Sequence, residues 1–117
     1  MIGKIIAGSS FGATVSYVMK EQSRILGFEG IEPPGVQDMV RDFKDQTLLN
    51  PRIKNAVGHI SLPFSPKDAD RLTDPAMAQI AREYMERMGI RNTLFLIVRH
   101  MDQAHPHCHI VYNRVGN

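Results

Sequence analysis

Two neighbouring segments near the C-terminus constrain this chain more than any others. Thr93–His100 is strongly apolar through Leu94, Phe95, Leu96, Ile97 and Val98, and His105–Arg114 follows after only Met101–Ala104. Two strand-like runs joined so closely predict an antiparallel hairpin. Side chains alternate across a strand. Leu94, Leu96, Val98 and His100 therefore share one face of the first strand. His105, His107, His109, Val111 and Asn113 share one face of the second. Four of the five histidines fall between positions 100 and 109. If His100 pairs with His107, their Cβ atoms lie about 5 Å apart and His109 is the diagonal neighbour. Three imidazoles then converge from one sheet surface, as a three-histidine metal site with open positions requires. Placement at a hairpin end accounts for one histidine. It does not account for four that share an alternation beside Asp102. Asp102 is a natural partner to orient a liganding imidazole. His105, at the loop end, is open between a fourth ligand, a proton shuttle and a phosphate contact. Cys108 points to the opposite face and is expected to be a small buried residue.

The rest of the chain supplies a scaffold for this hairpin. Met1–Gly8 predicts a short strand through Ile2, Ile5 and Ile6. Ser9 or Ser10 then caps a helix over Phe11–Glu21, with an apolar stripe of Phe11, Val15, Val18 and Met19. Gly27–Gly35, with three glycines and two prolines, predicts a loop. Val36, Met39, Val40, Phe43 and Thr47 follow helical spacing up to about Leu48, where Asn50-Pro51 breaks it. Val57–Leu62 predicts a strand, and Ser65-Pro66 a short helical turn. Asp74-Pro75 opens a longer helix that Gly89 closes, with Met77, Ile80, Ala81, Tyr84, Met85 and Met88 as its core-facing stripe. The order strand, helix, helix, strand, helix, strand, strand predicts an α/β fold. Its sheet is mainly antiparallel, flanked by helices, and carries the histidines on a C-terminal hairpin.

Composition sets limits on function. The 117 residues fit one domain, taken as 1–117, with 43% hydrophobic and 22% charged residues. Its single cysteine excludes an internal disulfide framework. No apolar run approaches the roughly 18 residues of a transmembrane helix, and the N-terminus lacks the regions of a signal peptide. A cytoplasmic protein without membrane partners is expected. Net charge is +2, from 14 Lys and Arg against 12 Asp and Glu. Residues 1–50 carry five bases and six acids; residues 51–117 carry nine and six. That balance excludes a protein that holds nucleic acid by bulk charge.

The segment His100-Met-Asp102-Gln-Ala-His105-Pro-His107-Cys-His109-Ile-Val-Tyr-Asn113-Arg114 resembles the metal-binding motif of conjugative relaxases. These are the mobilisation nucleases of plasmids and integrative elements, within the His-hydrophobe-His endonuclease superfamily. Gly3–Gly12 with Tyr17-Val18-Met19 is similar to that family's nucleophile motif, and His59–Pro66 resembles its middle motif. The resemblance implies site- and strand-specific nicking of single-stranded DNA at a transfer origin. A tyrosine attacks a phosphodiester, giving a 5′-phosphotyrosyl link and a free 3′-hydroxyl.

Tyr17 occupies the nucleophile position of that family. A tyrosine on an otherwise apolar helix is more often core, but Tyr84 lies in an apolar stripe and Tyr112 points away from the histidine face, so Tyr17 remains by elimination. The expected cofactor is a divalent ion, Mn²⁺ or Mg²⁺, on His100, His107 and His109. Asp102 or His105 accepts the tyrosine proton, or the ion favours the phenolate; the sequence does not choose. Ser61, Asn113 and Arg114 are read as DNA contacts, with Lys4 and Arg99 as further phosphate candidates and His59 as a residue lining the site. Relaxosome accessory proteins are expected partners. Family nuclease domains are usually longer, so the chain is expected to be C-terminally truncated, with part of the DNA grip supplied elsewhere.

Two alternatives compete. His105-Pro-His107-Cys-His109 also fits the pattern of histidine-triad nucleotide hydrolases, which need no metal and give His100 and Asp102 no role. The other is a non-catalytic or replication-initiator DNA-binding module.

Overall fold

The computed structural model describes residues 4–20, 22–100 and 106–116. Its element order is β1 (Lys4–Gly8), α1 (Phe11–Val18), β2 (Ser23–Glu29), α2 (Val36–Thr47), β3 (Val57–Pro63), a 3-10 turn (Pro66–Arg71), α3 (Asp74–Arg87), β4 (Phe95–His100) and β5 (His107–Asn113). The strands form one five-stranded sheet in the order β1-β3-β5-β4-β2. Every neighbouring pair is antiparallel. The predicted α/β fold with a histidine-bearing C-terminal hairpin is the fold observed.

Helices cover both faces of the sheet. On one face, Phe11, Val15 and Val18 of α1 and Met39 and Phe43 of α2 pack on Val57, Leu96, Val98 and Val111. The Phe11 and Phe43 rings stack with centroids 4.8 Å apart and planes 5° apart. On the other face, Met77, Ala81 and Met85 of α3 pack on Ile60, Leu62, Phe95, Ile97, Cys108 and Ile110. Strand alternation thus sends neighbouring residues of β3, β4 and β5 into two different cores.

Local chemistry explains the helix starts. Ser10 is the N-cap of α1, its Oγ accepting from the Ala13 amide at 3.1 Å. Thr73 caps α3 in the same way, accepting from Ala76 at 3.2 Å, with Pro75 in the first turn. Each cap satisfies an amide that the helix itself leaves without a partner. Gly89 closes α3 with φ +76°, a conformation open to glycine at low cost. The α3 N-terminus is tied to the sheet by Asp74, which pairs with Arg24 at 2.6 Å and Arg99 at 3.2 Å.

Three expectations need correction. The chain forms five strands among the described residues, because β2 was not foreseen. The expected loop Gly27–Gly35 begins as strand, with Gly27, Phe28 and Glu29 paired to Ile97, Leu96 and Phe95. Gly27 is not a turn glycine. A Cβ there would lie 2.9 Å from Arg82 Nη2, and the ladder shifts register between Ile25 and Gly27. That bulge on an edge strand breaks the alternation that identifies strands in sequence. Finally, α1 ends at Val18, short of Glu21. The hairpin connection Met101–Ala104, and with it Asp102 and His105, lies outside the described residues.

Phe43→Ala is expected to lower stability by about 3–5 kcal/mol, because it removes both the buried ring and its stack on Phe11. Urea unfolding measures this. A loss below about 1 kcal/mol would contradict Phe43 as the link between α1 and α2.

Candidate metal centre and tyrosine site

The histidines come from the three central strands. The hairpin register pairs His100 with His107 and Val98 with His109. On the other side of β5, Ser61 pairs with His109 and Pro63 with His107. Ring centroids are 5.1 Å apart for His100 and His107, 4.2 Å for His100 and His109, and 5.1 Å for His107 and His109. Each of the three offers a nitrogen within 4.8 Å of the others. His100 and His109 are buried and His107 is half-buried.

Hydrogen bonds orient these rings. His100 Nε2 lies 2.9 Å from the Val18 carbonyl oxygen. A carbonyl only accepts, so His100 carries its proton on Nε2 and holds a lone pair on Nδ1. His107 Nε2 lies 3.2 Å from that Nδ1. His109 Nδ1 lies 2.7 Å from His59 Nε2. His109 Nε2 is buried with no partner among the described residues. A buried polar atom left alone is costly and asks for an explanation.

A divalent ion fits that requirement. Two nitrogens each about 2.1 Å from one ion, at ordinary coordination angles, lie about 3.0–3.4 Å apart. His100 Nδ1 and His107 Nε2 already have that spacing. The donor set is three imidazoles, and His100 is held from behind by a backbone carbonyl, the usual support for a liganding histidine. The residues present therefore suit a metal.

Two of these imidazoles are held toward the neutral form. His109 is pushed down from 6.5 to about 3, first by burial and then by the neighbouring His100, His59, His107 and Lys20. His59 is also lowered, by burial and then by His100. Only a neutral imidazole binds a metal, so these environments suit that task.

Tyr17 stands at the same place. It is 51% exposed, although a place in the core was the commoner expectation for such a tyrosine. Its ring centroid lies 5.7 Å from His109, 6.0 Å from His100 and 6.1 Å from His59, edge-on to each. The link is the end of α1. The carbonyl that receives His100 belongs to Val18, the residue after Tyr17. The last carbonyls of a helix have no partner within it, and here one of them docks the helix on the histidine face.

The other candidates fall into clear positions. Ser61 is the cross-strand neighbour of both His109 and Lys4. Asn113 is a correction. It sits at the far end of β5, roughly 20 Å along the strand from His107. It is 1% exposed, and its amide donates to the Phe43 carbonyl at 2.8 Å and Thr47 Oγ1 at 3.2 Å. Its Oδ1 accepts from the Val115 amide at 2.9 Å. The fold uses the whole side chain, so none of it is left for DNA. Arg114 lies at the same far end, exposed, donating to the Asn55 carbonyl at 2.8 Å. Arg99 serves Asp74 and the Leu72 carbonyl on the α3 side of the sheet. Cys108 is buried in the α3 core, its thiol pushed up to about 12 by burial, with Arg99 opposing. Tyr84 and Tyr112 pack against that same core.

Two residues of this site were underweighted in sequence. Lys20 was counted only as a charge, yet its Nζ lies 5.1 Å from the Tyr17 ring centroid. Its spacing of three from Tyr17 was the available signal. His59 was read only as lining the site, and its contact with His109 depends on strand order.

An exposed tyrosine ring beside a three-histidine cluster on an antiparallel sheet is in keeping with the nuclease family that the sequence resembles. The family comparison is specific: the chain belongs to the relaxase family of MobA/VirD2-like nuclease domains, whose model matches residues 17–117. That is a family of DNA-nicking mobilisation nucleases, and the match begins at Tyr17. No curated protein and no solved structure matches the chain. Among the described residues, no helix is long and apolar enough to cross a membrane.

The depressed His109 gives a pH prediction. The unfolded chain binds a proton near pH 6.5 that the folded His109 refuses until about pH 3. Stability of the metal-free protein should therefore be highest above about pH 6.5 and fall as pH drops toward 3. Urea unfolding in chelator between about pH 7 and about pH 5 measures it. His109→Gln should flatten the fall; an equally steep fall in that variant would reject the assignment.

Proposed function

We propose that this chain nicks single-stranded DNA at a transfer origin, with Tyr17 as nucleophile, to mobilise a plasmid or other mobile element. The observation that carries the proposal is the half-exposed Tyr17 ring within about 6 Å of His59, His100 and His109. His100, His107 and His109 would hold a divalent ion, Mn²⁺ or Mg²⁺, which when bound would supply positive charge to offset the charge that grows on the phosphate in the transition state.

The chain's own residues carry out the exchange. The Tyr17 oxygen forms a bond to phosphorus, and the bond from phosphorus to the 3′-oxygen breaks. The phenol must lose its proton as the bond to phosphorus forms. Asp102 or His105 accepts that proton, and the leaving 3′-oxygen gains one to become a free hydroxyl. DNA stays on Tyr17 through its 5′-phosphate. One phosphoester replaces another, so the reverse steps religate the strand. Lys20 adds positive charge beside the phenol, and Ser61 offers a polar contact next to His109. Further DNA grip comes from beyond this site, including relaxosome accessory proteins in the cytoplasm, since a net charge of +2 holds DNA weakly.

The test is incubation with single-stranded origin DNA and Mn²⁺, followed by a denaturing gel. Wild type should give a covalent adduct, and Tyr17→Phe none. Adduct from Tyr17→Phe at the wild-type level would remove Tyr17 from the role. His107→Ala should keep the fold by circular dichroism and lose cleavage by at least about 100-fold, the scale of losing one electrostatic contributor. Full-rate cleavage by that variant would overturn the triad.

A further inference from the structure

His59 lies behind the triad, on β3. Its ring centroid is 4.9 Å from that of His109, and its Nε2 is 2.7 Å from His109 Nδ1. At that distance one proton sits between the two nitrogens, and it belongs to one ring or the other. The choice decides what His109 offers on its far side.

Suppose His59 donates. His109 then accepts on Nδ1, and as a neutral ring it must carry its own proton on Nε2. That nitrogen is buried with no partner among the described residues. An N–H there is a buried donor without an acceptor, which is costly. Suppose instead that His109 donates from Nδ1. Its Nε2 then presents a lone pair toward the nitrogens of His100 and His107, where a cation satisfies it. His59 is not itself a fourth ligand through Nε2, because that atom faces Nδ1 of His109. The pattern repeats that of His100, which is held from behind by the Val18 carbonyl.

We infer that His59 is a positioning residue: by accepting the Nδ1 proton of His109, it sets the tautomer that leaves His109 Nε2 free to bind a metal. The inference rests on the reading of His100, His107 and His109 as a metal site. His59 touches neither metal nor substrate in this role. A carbonyl can only accept, whereas an imidazole accepts only in one tautomer, so the His109 side of the site is the one that a substitution can switch.

The test needs no catalysis. Long-range ¹H–¹⁵N imidazole spectra of the metal-free protein report the tautomer of His109, and calorimetric titration with Mn²⁺ reports affinity. Wild type should carry the His109 proton on Nδ1. His59→Leu removes the acceptor and should move that proton toward Nε2, weakening Mn²⁺ binding by about 10–100-fold. His59→Gln keeps an acceptor oxygen near the position of Nε2 and should restore affinity to within about threefold of wild type.

A wild-type proton on Nε2 overturns the inference. So does a His59→Leu variant with unchanged tautomer and affinity, or a His59→Gln variant as weak as His59→Leu. If wild type holds its proton on Nδ1 yet binds no Mn²⁺, the metal assignment itself fails, and this role of His59 fails with it.

Discussion

The register of β5 against its neighbours is the constraint on which the rest of this protein depends. His100 opposite His107, and Ser61 opposite His109, place all three ligand candidates on the face covered by α1. A slip of one residue would turn His107 and His109 into the α3 core and bring Cys108 to the metal side. The slip is opposed by packing. Val111 lies in one core, and Cys108 and Ile110 lie in the other. Cys108 and Ile110 alternate with the histidines and Val111 shares their face, so burying these residues correctly also aims the imidazoles. The site is in this sense a by-product of two well-filled cores.

The second dependence runs through a helix end. α1 is only eight residues long, too short to be stable alone. It is held by Phe11 stacked on Phe43, by Val15 and Val18 in the core, and by the Val18 carbonyl on His100. That last bond joins the element that carries Tyr17 to the element that carries His100. Displacing α1 would therefore remove the support of His100 and the position of Tyr17 together.

Polar groups are concentrated rather than spread. The protein has a net charge of +2, yet it groups three histidines and Lys20 around one tyrosine. Burial keeps His59 and His109 below their ordinary pKa, so these two imidazoles offer lone pairs at neutral pH. Imidazoles of this kind gain positive charge only by binding a cation or a proton. The weak overall basicity that argued against bulk binding of nucleic acid is compatible with that arrangement.

Much of this was legible in the sequence, because the relevant signals are local. Alternation in 95–100 and 107–113 determined which face carries His100, His107 and His109. Ser10 and Thr73 are chemically suited to cap the helices that follow them, and Gly89 to end one. What was missed was not local. β2 reads as a loop because its ladder shifts register between Ile25 and Gly27, which shows only in its pairing with β4. Asn113 shares a face with the histidines, yet its amide is taken by Phe43 and Thr47 of a helix some 70 positions earlier. Tyr17 was a nucleophile candidate by motif and elimination, but its exposure and its distance from the imidazoles came from the docking of α1. His59 meets His109 only because β3 lies beside β5. The sequence by itself determined the residue types and the side of each strand on which they stand, since those follow from backbone geometry. Only the tertiary structure decided which histidine supports which, and where the tyrosine points, since strand order and helix docking are set by packing between residues distant in the chain.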